Sequence, residues 1–156
     1  MSSVSGASTT GSANTHTSQH KHKQAVPRNA LTVPTVAPPN ANYSHSTAVA
    51  AGKATVYLCG MMGDLPGDGR IISGGVAGQM TQIMRNVKAI LEASGSSLGK
   101  IVQRRIYLVD MGDLRVVDRI WGEWVKEPWP VSTCVQVVRL AKVDAKVEIE
   151  VVAEAN

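Results

Sequence analysis

The chain contains no phenylalanine, and tryptophan and tyrosine number three each among its 156 residues. Its core must therefore be built from Val, Ile, Leu, Met and Ala. Cysteine is almost missing as well: Cys59 and Cys134 are the only two, each within a strand-like run. That excludes a disulfide framework and a CxxC metal site, and it suits a reducing compartment, read here as cytoplasmic. No apolar run reaches the length of a membrane span. No Asp or Glu precedes Asp64, and the basic residues before it are Lys21, Lys23, Arg28 and Lys53. The net charge of +4 thus reflects an imbalance in a polar tail, not a clustered basic face, which argues against a nucleic-acid partner. The GxxxxGK spacing of a phosphate loop is absent, so Gly52-Lys53 does not read as one.

What is present is enough for one domain with one core, at 44% hydrophobic content. Residues 1–26 read as a disordered tail rich in Ser, Thr, Gly and His, because nothing there can offset the entropy of ordering. The tail lacks the apolar core of a signal peptide and the Arg-rich amphipathic pattern of a transit peptide. His16, His20 and His22 could chelate a metal, as any His-rich tract can, although a solvated linker explains them as simply. The domain itself reads as 27–156. It begins with an extended, Pro-punctuated arm to Asn42, in which Pro38-Pro39 forbids helix.

Two strands, Ser46–Ala51 and Ala54–Met62, flank a hairpin turn signal at Gly52-Lys53. Val76, Met80, Ile83, Met84, Val87, Ile90 and Leu91 recur with helical period and predict a helix over Val76–Ser94, ended by Gly95. Lys100–Asp110 reads as a strand whose buried face is Val102, Ile106 and Leu108, with Arg104 as an interruption. Asp113 is placed to cap a second helix running to Val125, with Val117, Ile120, Trp121 and Trp124 on its apolar side. Pro128 and Pro130 stop it.

The run from Pro130 to Ala153 reads as two more strands with strict alternation. On the first, Thr133, Val135 and Val137 alternate with Ser132, Cys134 and Gln136. On the second, Val147, Ile149 and Val151 alternate with Glu148 and Glu150. The order strand, strand, helix, strand, helix, strand, strand predicts an α+β fold, with two helices on one face of a mixed sheet. The uncovered face is expected to carry Tyr57, Cys59, Gln103, Arg105, Tyr107, Ser132, Cys134, Gln136, Glu148 and Glu150. Such a face calls for a cover, and further copies of the same chain are the economical one.

These elements carry a resemblance. APPNANYSHS, VYLCG, NVKAILEASGSSLGKIV, IYLVDMGDL, PVSTCVQVVRLAK and KVEIEVVA together resemble the RidA/YjgF family of reactive-intermediate deaminases over about Ala37 to Ala153. The resemblance implies a chorismate-mutase-like fold and a homotrimer whose sheets line a central barrel, with small-molecule sites in the clefts between subunits. It implies hydrolysis of imines or enamines with release of ammonia, and no metal or organic cofactor. Residue by residue, it implies that Tyr43 packs against substrate, that Gly60 and Cys134 border the site, and that Glu148 positions the attacking water.

One position departs from the family pattern. Deaminating members read Pro-Ala-Arg-Ser-Cys where this chain reads Pro130-Val131-Ser132-Thr133-Cys134, so Ser132 stands where an arginine grips a carboxylate. Arg offers a charged, bidentate fork and Ser a single hydroxyl. Loss of such a pair costs about 2–5 kcal/mol of binding. Arg105 is the candidate replacement cation, with a trimer-interface ion pair to Glu148 or Glu150 as its structural alternative. On this reading Ser132→Arg should restore the fork, and with it activity on simple 2-imino acids, if the rest of the site is preserved. Three functions follow: a deaminase of altered scope, acting on an aminomuconate-like or biosynthetic intermediate; a non-catalytic trimeric binding or regulatory protein; and an endoribonuclease, which no His pair or basic stripe supports.

Overall fold

The computed structural model describes Met1 and residues 29–31, 33–37, 39 and 41–156. The expected tail over 1–26, apart from Met1, and its three histidines lie outside the described residues, as does Pro38. Among the described residues, six strands and two α-helices follow in the order β1 (Asn29–Leu31), β2 (Ser46–Ala48), β3 (Thr55–Tyr57), α1 (Gly75–Ala93), β4 (Ile101–Leu108), α2 (Leu114–Trp124), β5 (Val131–Gln136) and β6 (Val147–Glu154). The main sheet has the strand order β3-β6-β4-β5. β6 runs antiparallel to both β3 and β4, whereas β4 and β5 are parallel. The parallel pair is joined through α2, as a parallel connection requires a crossover. The α+β class and the mixed sheet are as the sequence predicts. No helix among the described residues is long and apolar enough to cross a membrane.

The core forms where the two helices meet the β4–β6 face. α1 buries Met80, Ile83, Met84, Val87 and Leu91 completely, which is one stripe of a 3.6-residue helix. It stops at Gly95, whose φ of 71° is a left-handed value that glycine adopts at no steric cost. The Ser96 amide then donates back to the Leu91 carbonyl at 2.8 Å. From α2 come Val117, Ile120 and Trp121, and from the sheet Ile106, Leu108, Val147, Ile149 and Val151. Among these apolar groups α1 also buries Gln79. Its amide donates to the Asp144 carbonyl and accepts from the Lys146 amide, both at 2.8 Å. That pins the connection leading into β6.

Three expectations are corrected. The turn at Gly52-Lys53 exists, with Lys53 N donating to Ala50 O at 3.1 Å, but its flanking strands do not pair with each other. β2 pairs with β1, and β3 joins the edge of β6. The eight-residue β6 offers a longer ladder with one face already buried, so β3 gains more there than across a three-residue hairpin. Second, Asp113 makes no side-chain cap. Asp110 does the capping one turn earlier, accepting from Gly112 N at 2.8 Å at the start of the short 3-10 turn that leads into α2.

The third correction concerns faces. The β4–β5 register sets Ser132 opposite Arg104, Cys134 opposite Ile106 and Gln136 opposite Leu108. Directly paired residues share a face. Ser132, Cys134 and Gln136 therefore lie on the helix-covered side, and Thr133 and Val135 lie on the open side. Alternation fixes which residues go together but not which set faces in. The open side keeps Gln103, Arg105, Tyr107, Glu148 and Glu150, as expected.

Candidate active site

β4 brings a charge into the covered face. Arg104 falls in the buried set of its strand with Val102, Ile106 and Leu108, and its side chain is 2% exposed. Its Nε donates to Ser132 Oγ at 3.0 Å, and its Nη2 donates to Asp118 Oδ1 at 3.0 Å. The guanidinium carbon sits 4.5 Å from the centre of the Trp121 ring, a cation–π stack that covers one face of the cation. Among the described residues Nη1 has no hydrogen-bond partner. Burial pulls the Arg104 pKa down from its ordinary value, and Asp118 pushes it back up.

Asp118 also anchors the arm that precedes β2. Its second carboxylate oxygen accepts from Asn42 N at 3.2 Å, and its backbone carbonyl accepts from Asn42 Nδ2 at 3.3 Å. Gly122, one turn later on α2, has no side chain, and a Cβ there would stand 3.0 Å from Asn42 Nδ2. Ser44 N donates to Pro130 O at 3.0 Å. Tyr43 is thereby clamped between α2 and the start of β5. A cavity of about 200 Å³ opens at this junction, lined by Tyr43, Arg104, Asp118, Ser132 and Cys134 with Ala41, Ile106 and Leu114 as its apolar wall.

Cys134 is half-buried in this cavity, and its sulfur lies 3.9 Å from Met111 Sδ. Burial raises the thiol pKa, against a smaller lowering by Arg104. The group is thus held as a neutral thiol, which is a poor nucleophile. His45, just after Tyr43, is committed elsewhere: its Nδ1 accepts from Val33 N at 2.8 Å, and its Nε2 lies 2.9 Å from Ala37 O. No Cys–His pair forms among the described residues.

The remaining expected site residues gather on the opposite side of the sheet. Glu148 projects from the open face of β6, paired with Tyr107 of β4. Its carboxylate lies over Gly60, where a Cβ would come within 1.8 Å of Oε1. Burial raises the Glu148 pKa, and the charges of Asp64 and Glu150 raise it further. Lys142 is ion-paired with Asp64 and also donates to the Gly69 carbonyl, which ties the loop after β3 to the β5–β6 connection. Arg105 is half-exposed and bound to Glu150 Oε1 at 2.8 Å, while Tyr107 donates to Glu150 Oε2 at 3.1 Å. Within the chain Arg105 is thus paired with Glu150 on the open face, while Ser132 lies on the covered face opposite Arg104.

The expected site thus divides into two half-sites. Tyr43, Ser132 and Cys134 line the cavity on the covered face; Gly60, Arg105 and Glu148 belong to the open face. Sequence reading missed Arg104, Asp118 and Trp121. The signal was available: an arginine in the buried register of β4, and an aspartate on the same helical face as Leu114, Val117 and Trp121. Each charge intrudes on an apolar pattern, and the two have opposite sign.

Residues 34–155 match the profile of the family described as Endoribonuclease L-PSP. The chain is 36% identical over 109 residues to a RutC family protein of Pyrococcus horikoshii, covering 70% of this chain and 85% of that one. It is 33% identical over 121 residues to the human 2-iminobutanoate/2-iminopropanoate deaminase, covering 78% and 87%. Among solved structures, RidA from an Antarctic Psychrobacter superposes with a TM-score of 0.61 at 33% identity, over 74% of this chain and 90% of that one. A Rid-family protein of Yersinia pestis shares the fold with a TM-score of 0.72 at 22% identity, over 83% and 99%.

Proposed function

Since the chain belongs to the RidA/YjgF family, whose members include imine deaminases, we propose that it hydrolyses the C=N bond of an imine or enamine-derived substrate and releases ammonia. The observation that carries this reading is the presence, on one chain, of a cavity bordered by Tyr43, Ser132 and Cys134 and of a carboxylate, Glu148, seated over Gly60 with its pKa raised by burial. A general base works best when its pKa is lifted toward the working pH. Burial, Asp64 and Glu150 lift Glu148 in that direction. Glu148 takes a proton from water as the oxygen attacks the imine carbon. The same carboxyl then returns the proton to nitrogen to give the carbinolamine, relays the hydroxyl proton to the amine, and ammonia leaves as the C=O bond forms and the C–N bond breaks. An enamine enters the same path after protonation at carbon.

One copy cannot bring the two half-sites to one substrate, because the sheet lies between them. The working site on this reading forms where Glu148 and Gly60 of one copy meet the cavity of Tyr43, Ser132 and Cys134 in the next. A homotrimer with the open sheet faces turned inward satisfies this requirement. It also covers Tyr57 and Val135, which are 77% and 42% exposed in the single chain.

The test is a panel of imines assayed for ammonia, run with mixed assemblies. Glu148→Gln and a cavity-filling Ser132→Met should each be inactive alone. Co-refolded together they should recover a fraction of wild-type turnover, since some interfaces then contain one intact half from each copy. Activity absent from the wild type across the panel would remove the hydrolase reading and leave a binding protein of the same fold. An active wild type whose mixtures recover nothing would remove the shared site.

A further inference from the structure

The cavity wall carries a cation that is already spoken for. Arg104 Nε is bound to Ser132 and Nη2 to Asp118, and Trp121 covers a face of the guanidinium. Nη1 is enclosed, without exposure to solvent. The Nε–Nη2 edge of the fork is therefore already taken by Ser132 and Asp118. The charge is also cancelled: Asp118 stands 3.0 Å from it and is itself only 16% exposed. Cys134 and Tyr43 add no charge. An arriving carboxylate would meet a pair with no net charge, with one anion already in the wall, and would lose its hydration with little in return.

Ser132 is different. Its oxygen accepts a hydrogen bond from a cation, so its own proton remains to be donated and is the more strongly polarised for it. A single polarised donor in a mostly apolar cavity fits one neutral oxygen. We propose that the cavity selects substrates that present a carboxamide, ester or ketone carbonyl to Ser132, and that Asp118, by neutralising Arg104, is the residue that sets carboxylates aside. The inference rests on the reading of this cavity as the substrate site. It goes beyond that reading in naming the class of group that enters.

The experiment is direct binding by calorimetry of the full chain to a matched pair, 2-oxobutanoate and its primary amide, which requires no turnover. The wild type should bind the amide about tenfold or more tighter than the acid, the scale of one charged hydrogen-bonded contact. Ser132→Ala should lose about tenfold for the amide, the donor being gone. Asp118→Asn keeps the shape and removes the anion. It should strengthen binding of the acid about tenfold while moving the amide by less than about threefold. A wild type that binds the acid as tightly as the amide, or that binds neither at millimolar concentration, overturns the proposal. So does Ser132→Ala without effect. The wild-type pair and Ser132→Ala decide the matter even if Asp118→Asn does not fold. Failure of the hydrolase reading is seen separately, as no ammonia from any imine while the binding preference stands.

Discussion

Arg104 and Ser132 stand opposite one another in the parallel register of β4 and β5, and the guanidinium Nε donates to the serine oxygen at 3.0 Å. The position where the family pattern expects an arginine thus has one beside it, supplied by the neighbouring strand. The two are not equivalent. A guanidinium rising from position 132 would have had its fork free; the one from position 104 lies beneath the serine with its donors turned to Ser132 and Asp118. The chain thus keeps a cation in the cavity wall, with Nε turned to Ser132 and Nη2 to Asp118.

Breaking the Arg104–Asp118 pair should be costly. Arg104→Met leaves the largely buried Asp118 carboxylate without its cation, and breaking a buried pair costs about 3–5 kcal/mol. Arg104→Met with Asp118→Leu should recover most of that loss, because no unpaired charge remains. Urea unfolding of the two variants checks it. A loss under about 1 kcal/mol in the single variant, within the range of an exposed pair, would mean that water reaches Asp118 freely.

Much of the fold is legible from sequence because periodicity reports burial directly. The stripe from Met80 to Leu91 and the alternation from Val147 to Val151 each have one apolar face, and both are buried as expected. The site is less legible, for two physical reasons. Alternation groups Ser132 with Cys134 but is silent on which way the group turns, and Thr133 and Val135 make an apolar-looking face that in fact points outward. Pairing partners are silent too. Arg105 and Arg104 are neighbours in sequence and identical in type, yet only the β4–β5 register tells which of them meets Ser132. An arginine that interrupts an apolar face is the readable clue, since a buried charge persists only beside a partner.

Glu148→Gln should lower ammonia release by about 10²-fold or more through loss of the base, and it should also stabilise the protein near neutral pH. The Glu148 pKa is raised above its ordinary 4.5, so the folded state holds the proton more tightly than the unfolded chain. Stability from this group is then greatest below the unfolded pKa and falls as pH rises through the folded one. Glutamine carries no charge and escapes the loss. Melting curves of the two proteins should separate near pH 7 in favour of the variant and converge near pH 4. A variant less stable at neutral pH would show that the carboxylate is better served than burial and two like charges imply.

Gly60 is needed for what it lacks. A methyl group there would stand 1.8 Å from Glu148 Oε1, so Gly60→Ala must push the carboxyl aside. Its position in the strand-end loop lets the side chain of Glu148 give way without breaking the ladder, and the melting temperature should move little. Turnover should fall by about tenfold to a hundredfold, the scale of an ångström-level misplacement of a catalytic group. Steady-state assay with a melting curve separates the two effects; unchanged turnover would detach Glu148 from catalysis.

Ser132→Arg is the change that the sequence alone recommends for regaining a carboxylate fork, and the structure argues that by itself it fails. The new side chain would grow from the position that Arg104 now contacts at 3.0 Å. Two guanidinium groups would then share one aspartate in a space that excludes water from the first. Like charges at such range repel strongly where the effective dielectric is low. Ser132→Arg should therefore lower the melting temperature and gain no hydrolysis of simple 2-imino acids. Exchanging the two positions, Ser132→Arg with Arg104→Ser, keeps one cation and one hydroxyl but moves the fork to the strand that borders Cys134. That double variant should fold with near wild-type stability and gain activity on 2-imino acids, at the expense of neutral carbonyl substrates. The comparison needs three proteins, one melting curve each and one ammonia assay with an acid and its amide. If the single variant gains as much activity as the exchange, Arg104 is movable, and the cavity is not shaped by the Arg104–Ser132 contact.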